Sequence, residues 1–440
     1  MIALPRGVKR KSRFFCGFAL FLCLSVIRIR RAFITKAVFM DNTSERPTIF
    51  LLVMLAALTA FAPFVTDMYL PALPSMTESF SATTSQVQLG LTTSMIGLAL
   101  GQLIIGPLSD KYGRKIPLIA TLILFAISSA LCILSSGIAM FVAMRLIQGL
   151  GASGGVVLSR SIATDLCSGK ALAAVMAIIG AISGIAPVIS PLLGGWVLSF
   201  STWHMVFAIL LGIGLILIAA SFRLPESYPA EKRQPLSIFQ SFGQIRELVK
   251  NRIFMIITAM QAAAMFAFFG QISASPFIFQ THYGFTELQY SFFFGTNALA
   301  IGIFAFLSTR FKTPQKSLIT GTVMLLIAAI CVSTALYLNA SPWLFETCLF
   351  AMMGSFGLIL APSTAIAMNA ARKQAGLASA VLGAAGFLAG GIASPIVGLG
   401  KLQITTGIVF ITSALLTFLI THAYRKIDCS NTQRELSSLI

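Results

Sequence analysis

The chain has 440 residues, 57% of them hydrophobic and only 10% charged, with a formal net charge of +18. So apolar a composition excludes an ordinary water-soluble domain. The charge does not indicate nucleic acid, because the basic residues sit in short segments between long apolar runs rather than in one patch.

The first segment, residues 1–47, is a polar and basic extension. Residues 1–39 hold nine Lys/Arg and no acid, so half of the net charge arises there. The apolar run Phe14–Ile27 is 14 residues long. It is too short to span a bilayer and looks like a signal-peptide core, but no A-x-A-like cleavage site follows it. The better reading is an upstream extension, with Met40 available as the real start.

Twelve segments long and apolar enough to cross a bilayer follow. Their cores are 48–76, 87–109, 116–136, 138–159, 171–198, 203–222, 251–279, 287–309, 316–337, 343–368, 375–399 and 402–424. Residues 223–250, with Pro225, Pro229, Pro235 and a run of charges, divide six spans from six. We read 48–222 and 251–424 as two six-helix bundles, 223–250 as a cytoplasmic linker and 425–440 as a cytoplasmic tail.

From Met40 onward there are 22 Lys/Arg. With a cytoplasmic N-terminus, all but Arg145, inside span four, and Lys401 fall on the cytoplasmic side. This is the positive-inside bias, and it places both termini in the cytoplasm. The seven Cys (16, 23, 132, 167, 331, 348, 429) show no metal-type spacing, and the three His (204, 282, 422) are scattered. Neither a disulfide framework nor a bound metal or cofactor is expected.

The two halves read as a repeat. A shift of 205 positions puts Phe61 on Phe266, Pro71 on Pro276, Phe80 on Phe285, Ser81 on Thr286 and Gly97 on Gly302. In this register Asp67 falls on Ile272, so the acid belongs to the first half alone. A carboxylate at bilayer depth costs at least about 2.5–3.5 kcal/mol and is by default a proton or cation site. Arg145 in span four matches Asp67 in depth, both roughly 10–14 Å from the outer surface at about 1.5 Å per residue. The two are expected to pair, offsetting the burial of each charge. Tyr69, Gln102, Gln148, Gln261, Phe268 and Gln271 are sparse polar and aromatic groups in apolar spans, the composition of a drug-sized cavity.

Three motifs carry a family resemblance. Gly106-Pro-Leu-Ser-Asp110-Lys-Tyr-Gly113-Arg114-Lys115, between spans two and three, resembles the major facilitator signature Gly-x-Leu-x-Asp-x-x-Gly-Arg-Lys. Arg145-Leu-Ile-Gln148-Gly149 resembles the second motif, Arg-x-x-Gln-Gly. Pro187-x-x-Ser190-Pro191-x-x-Gly194-Gly195 resembles the antiporter motif, with Ser190 standing where a Gly is usual. With Thr66-Asp67-Met-Tyr69-Leu-Pro71, the stretch 48–424 looks like the Bcr/CflA group of drug-efflux antiporters.

That resemblance implies a twelve-helix major facilitator fold, all α, in a bacterial inner membrane. It implies proton coupling at Asp67 and Arg145, and gating by Gly106, Asp110, Gly113 and Arg114. It further implies a monomer that moves small drugs of bicyclomycin, phenicol or sulfonamide type against protons, contacting lipid and no nucleic acid. A proton-coupled metabolite importer is the main rival. A non-transporting sensor and a membrane enzyme are weaker ones, since no cluster of His, acids and nucleophiles is visible.

Overall fold

The computed structural model describes residues 48–233 and 248–438. The extension 1–47 and the middle of the linker, 234–247, lie outside the described residues, and so do the expectations placed on them.

Among the described residues there are twelve helices long and apolar enough to span a membrane: Ile49–Ser79, Thr84–Tyr112, Lys115–Ile133, Ile138–Leu166, Ala171–Leu198, Trp203–Phe222, Arg252–His282, Glu287–Ser308, Pro314–Tyr337, Pro342–Ala370, Leu377–Ile396 and Leu402–Lys426. All twelve expected segments are present. Their starts follow from local chemistry. Thr48, Thr83, Asn251, Thr286, Thr313 and Ser341 each accept a hydrogen bond from the backbone N–H three residues on, satisfying an otherwise orphaned donor.

The spans pack in two like sets. In the first half, span four touches spans one, two and three, span one touches span five, and span three touches span six. In the second, span ten touches seven, eight and nine, span seven touches eleven, and span nine touches twelve. The halves meet where span two packs on span eleven and span eight on span five, two contacts that exchange when six spans are added to each. A pseudo-twofold axis therefore runs through the centre, as in parallel-repeat transporters.

The repeat is legible in its breaks. Span one is α-helical to Asp67, passes through a 3₁₀ turn at Leu70–Ala72 and resumes at Leu73. Span seven is α-helical to Pro276 and then widens into a π-helical turn, Phe277–His282. Pro71 and Pro276, paired at 205 positions, sit at the two breaks. After them the register changes. Thr83 with Gln86, and Thr286 with Gln289, form the same capping box at the starts of spans two and eight, a shift of 203. The matches of Ser81 with Thr286 and of Gly97 with Gly302 are thus two residues out of step, because the two breaks consume different lengths of chain.

One end of the bundle carries the basic loops around 111–115, 223–233, 248–252, 309–316 and 371–373; we call it the basic end and its opposite the far end. Four cross-half hydrogen bonds tie the far end. Ser85 Oγ donates to the Pro395 carbonyl at 3.1 Å, Gln88 Nε2 to that of Ser273 at 3.0 Å, Ser394 Oγ to that of Gln88 at 3.2 Å, and Gln280 Nε2 to that of Pro71 at 2.9 Å. Gly195 lets span five lie against Ser291 and the Glu287 carbonyl of span eight, and Gly194 lets it lie against the Met68 carbonyl. Small residues are what permit helices in lipid to approach so closely. Toward the basic end, a Cβ added at Gly106 on span two or at Gly180 or Gly184 on span five would meet nothing within 4 Å.

Candidate transport cavity and gate

Asp67 is the last residue of the first helical stretch, buried at 6% exposure, where the backbone of span one breaks. It lines a cavity of about 170 Å³ between the halves. Pro63 and Thr66 from span one and Pro187 from span five form one wall; Phe268, Gln271, Ile272, Phe294 and Asn297 from spans seven and eight form the other. Asp67 supplies the only carboxylate of that lining, and no cation lies within 4.0 Å of it among the described residues. Ile272, its sequence counterpart, faces it from the second half.

The expected ion pair with Arg145 is not formed. Arg145 is fully buried inside the first half. Its Nη2 donates to the Val65 carbonyl at 2.9 Å, its Nε to the Gly90 carbonyl at 3.3 Å, and its Nη1 to Gln148 Oε1. The guanidinium lies over the Tyr69 ring at 4.3 Å and 5.7 Å from the Phe207 ring centre. Val65 and Tyr69 each stand two residues from Asp67. At about 100° per residue, two steps turn roughly 200°, so they face away from it. Asp67 and Arg145 share a depth but not an azimuth. Carbonyl oxygens and an aromatic face solvate Arg145 instead of a carboxylate.

Two further cavity assignments change for the same reason. Gln148 is fully buried, accepting from Arg145 and donating to Ser129 Oγ at 2.7 Å. Tyr69 is fully buried against Phe141 and Phe207, beneath the Arg145 guanidinium. Both are core of the first half. Gln261 accepts from Ser363 Oγ at 3.0 Å within the second half. Gln102 lies where span two meets span eleven, 2.8 Å from the point a Cβ on Gly383 would occupy. Phe268 and Gln271 do line the central cavity. Of the third motif, Pro187 lines the cavity, Gly194 and Gly195 make the close helix contacts, and Pro191 lies inside the span five helix.

The motif expected to gate, Gly106–Lys115, sits at the basic end. Arg114, 7% exposed, joins two acids: Asp110 Oδ1 at 2.5 Å and Asp165 Oδ2 at 2.8 Å. Its Nη1 also donates to Ser109 Oγ at 2.7 Å. Burial works against the Arg114 cation, but hydrogen bonds and charge from Asp165 and Asp110 more than offset it and raise its pKa above that of a free arginine.

A strap from the linker covers this cluster. Glu226 accepts from the backbone N–H groups of Arg114 at 2.8 Å, Tyr228 at 3.1 Å and Lys115 at 3.2 Å. Ser227 Oγ donates to Asp165 at 3.2 Å, and the Arg114 guanidinium lies 4.4 Å from the centre of the Tyr228 ring. Burial raises the Glu226 pKa, but the three N–H donors and Arg233 outweigh it and hold the carboxyl below the usual carboxylate range. Gly113 is required here: its φ is +87°, and a Cβ on it would lie 2.5 Å from Glu226 Oε2. A Cβ on Gly106, by contrast, would meet nothing within 4 Å. Asp165, Glu226, Ser227 and Tyr228 were not anticipated from sequence. The visible signal is a pair of acids at the ends of spans four and six, on the same side as Arg114.

The sequence profile of the Major Facilitator Superfamily matches residues 52–394. The chain belongs to the major facilitator superfamily. It is similar to the MFS-type transporter YdgK of Bacillus subtilis, with 35% identity over 384 residues, 86% of this chain and 96% of that one. The chloramphenicol resistance protein of Pseudomonas aeruginosa is 30% identical over 339 residues, 74% of this chain and 77% of that one. The bicyclomycin resistance protein homolog of Haemophilus influenzae is 28% identical over 386 residues, 84% and 94%. Among solved structures, a bacterial homolog of the human lysosomal transporter Spinster superposes with a TM-score of 0.67 at 17% identity, over 86% of this chain and 97% of that one. The chain is therefore a multi-pass membrane transporter of a family whose similar members include drug-resistance proteins.

Proposed function

We propose that this transporter exports small, largely apolar antimicrobial drugs across a bacterial inner membrane in exchange for protons. The observation that carries the reading is Asp67, a carboxylate free of any ion pair among the described residues, in the cavity both halves share. Phe268, Phe294 and neighbouring apolar groups give the walls a surface suited to varied drugs, with Gln271 and Asn297 as sparse polar contacts. Drug-resistance relatives at 28–30% identity support the same direction of transport.

In the proposed cycle the basic end faces the cytoplasm. The present state, tied at its far end, admits drug from the cytoplasm or inner leaflet. Drug in the cavity favours loss of the Asp67 proton, and a proton taken from the outside after the halves rock displaces the drug. Arg145 acts through position: it grips the Val65 carbonyl and fixes the break on which Asp67 stands. The Asp110–Arg114–Asp165 cluster and its strap hold the basic end in one access state. One charge crossing about 100 mV supplies about 2.3 kcal/mol. At 1.4 kcal/mol per decade this sustains roughly a 40–50-fold gradient of a neutral drug.

Cells preloaded with chloramphenicol test the direction. Faster loss of drug on expression of the chain, abolished by a protonophore, supports export. Proton-driven accumulation of a metabolite with no effect on chloramphenicol, phenicol analogues, bicyclomycin or sulfonamides supports the importer instead.

A further inference from the structure

Among the described residues, only two carboxylates lie more than two residues inside a span: Asp67 and Glu346. Glu346 is in span ten, four residues from Pro342 and thus about 6 Å along the helix from the far end. Its carboxylate accepts from Thr296 Oγ1 at 3.0 Å and from Asn297 Nδ2 at 3.2 Å, both on span eight. No Lys, Arg or His is within ion-pair reach among the described residues. Both donors are neutral groups that can also pair with a protonated carboxyl.

The two donors differ in what they face. Thr296 is on the exposed surface of the bundle, whereas Asn297 is 3% exposed and lines the cavity that holds Asp67. The Asn297 Oδ1 is buried and has no hydrogen-bond partner. An unpaired buried acceptor is destabilising. It is left unpaired because the amide spends its N–H on Glu346. A protonated Glu346 reverses this exchange: its O–H donates to Oδ1, the amide turns over, and the cavity is offered N–H in place of oxygen.

The other titratable groups on the packed elements are Cys348 on span ten itself, Glu287 and Tyr290 on span eight, Lys316, Cys331 and Tyr337 on span nine, and Arg252 and His282 on span seven; span eleven has none. None is hydrogen-bonded to Glu346, and Tyr290 is engaged with Ser275 at 3.1 Å.

We propose that Glu346 is a second proton-carrying carboxylate, loaded from the far end and read by the central cavity through the Asn297 amide. The inference rests on the proton-coupled reading of the cavity. A proton bound at Glu346 presents Asn297 N–H toward the cavity, which favours the Asp67 anion and release of the Asp67 proton toward the basic end. No group is transferred other than protons: Glu346 takes one from the far end as Asp67 releases one to the basic end, and Glu346 returns its proton to the far end when Asp67 is reprotonated from there, so one proton passes from the far end to the basic end in each turn.

The test is an infrared pH titration of the full chain in liposomes, reading the C=O band of protonated carboxyl groups, without any drug. The account expects a titrating band that persists in Asp67→Asn, is lost in Glu346→Gln and shifts in Asn297→Ala. Glu346→Gln keeps the side-chain shape, and its elution as an intact monodisperse protein excludes misfolding as the cause of the loss. Identical difference spectra for wild type and Glu346→Gln would overturn the proposal, since Glu346 would then never change state. A Glu346 band indifferent to Asn297→Ala would overturn the link to the cavity. A parallel chloramphenicol-driven proton-flux assay keeps the two readings apart. Its failure would count against drug efflux and leave the titration result standing.

Discussion

Replacing Gly113 with alanine places a methyl group where the strap binds. The backbone there has φ +87° and ψ 173°, a region essentially restricted to glycine, so the strain alone costs about 1–3 kcal/mol. The new Cβ would lie 2.5 Å from Glu226 Oε2 and 2.8 Å from Arg233 Nη2, which forces the carboxylate off the Arg114 and Lys115 N–H groups. Because the strap is partly exposed, losing those bonds adds about 1 kcal/mol, below the range for a buried charged hydrogen bond. The sum is about 2–4 kcal/mol. Gly106→Ala, in the same motif, is the internal control. It sits inside the span two helix, a Cβ there would meet nothing within 4 Å, and alanine is favoured over glycine by about 0.5–1 kcal/mol. Thermal denaturation of the purified proteins in detergent should place Gly113→Ala several degrees below wild type and Gly106→Ala level with or above it. Equal melting temperatures for Gly113→Ala and wild type, or equal losses for both variants, would refute the reasoning.

Other outcomes follow from the buried network and the strap. Arg145→Lys should destabilise by about 2–4 kcal/mol in the same denaturation assay, since one ammonium cannot replace a fork that reaches Val65, Gly90 and Gln148. Glu226 has a folded pKa below its ordinary value of 4.5, so its contribution is complete above that value and is lost as the pH falls through the lowered one. Hydrogen exchange at the Arg114 and Lys115 amides, corrected for intrinsic rates, should therefore stay protected at neutral pH and open in acid, and Glu226→Gln should open them at neutral pH.

Much of this fold can be read in the chain because lipid leaves the backbone few choices. The twelve spans, their Thr, Ser and Asn caps and the breaks at Pro71 and Pro276 all follow from hydropathy and local chemistry. The placement of side chains around each helix does not. Asp67 and Arg145 share a depth, but the residues at two positions on either side of Asp67 turn toward Arg145 and Asp67 itself turns away. Gln148 is polar in an apolar span, which suggested the cavity. Its position three residues from Arg145 marks it as that residue's partner. The strap was not legible, because Glu226 meets Arg114 across 112 residues of chain with no periodicity to announce it. Glu346 stands in plain view within Phe345-Glu346-Thr347. Its significance lies in Asn297, which comes from another span and joins it to the cavity.

The central claim is that Asp67 carries the exchanged proton. Inverted membrane vesicles energised to a fixed pH gradient, containing wild type or Asp67→Asn at matched expression, test it most directly when chloramphenicol, bicyclomycin and a sulfonamide are added in turn. The account predicts that drug collapses the gradient with wild type and leaves it intact with Asp67→Asn. Collapse of equal size in both would contradict it, placing the proton on another group.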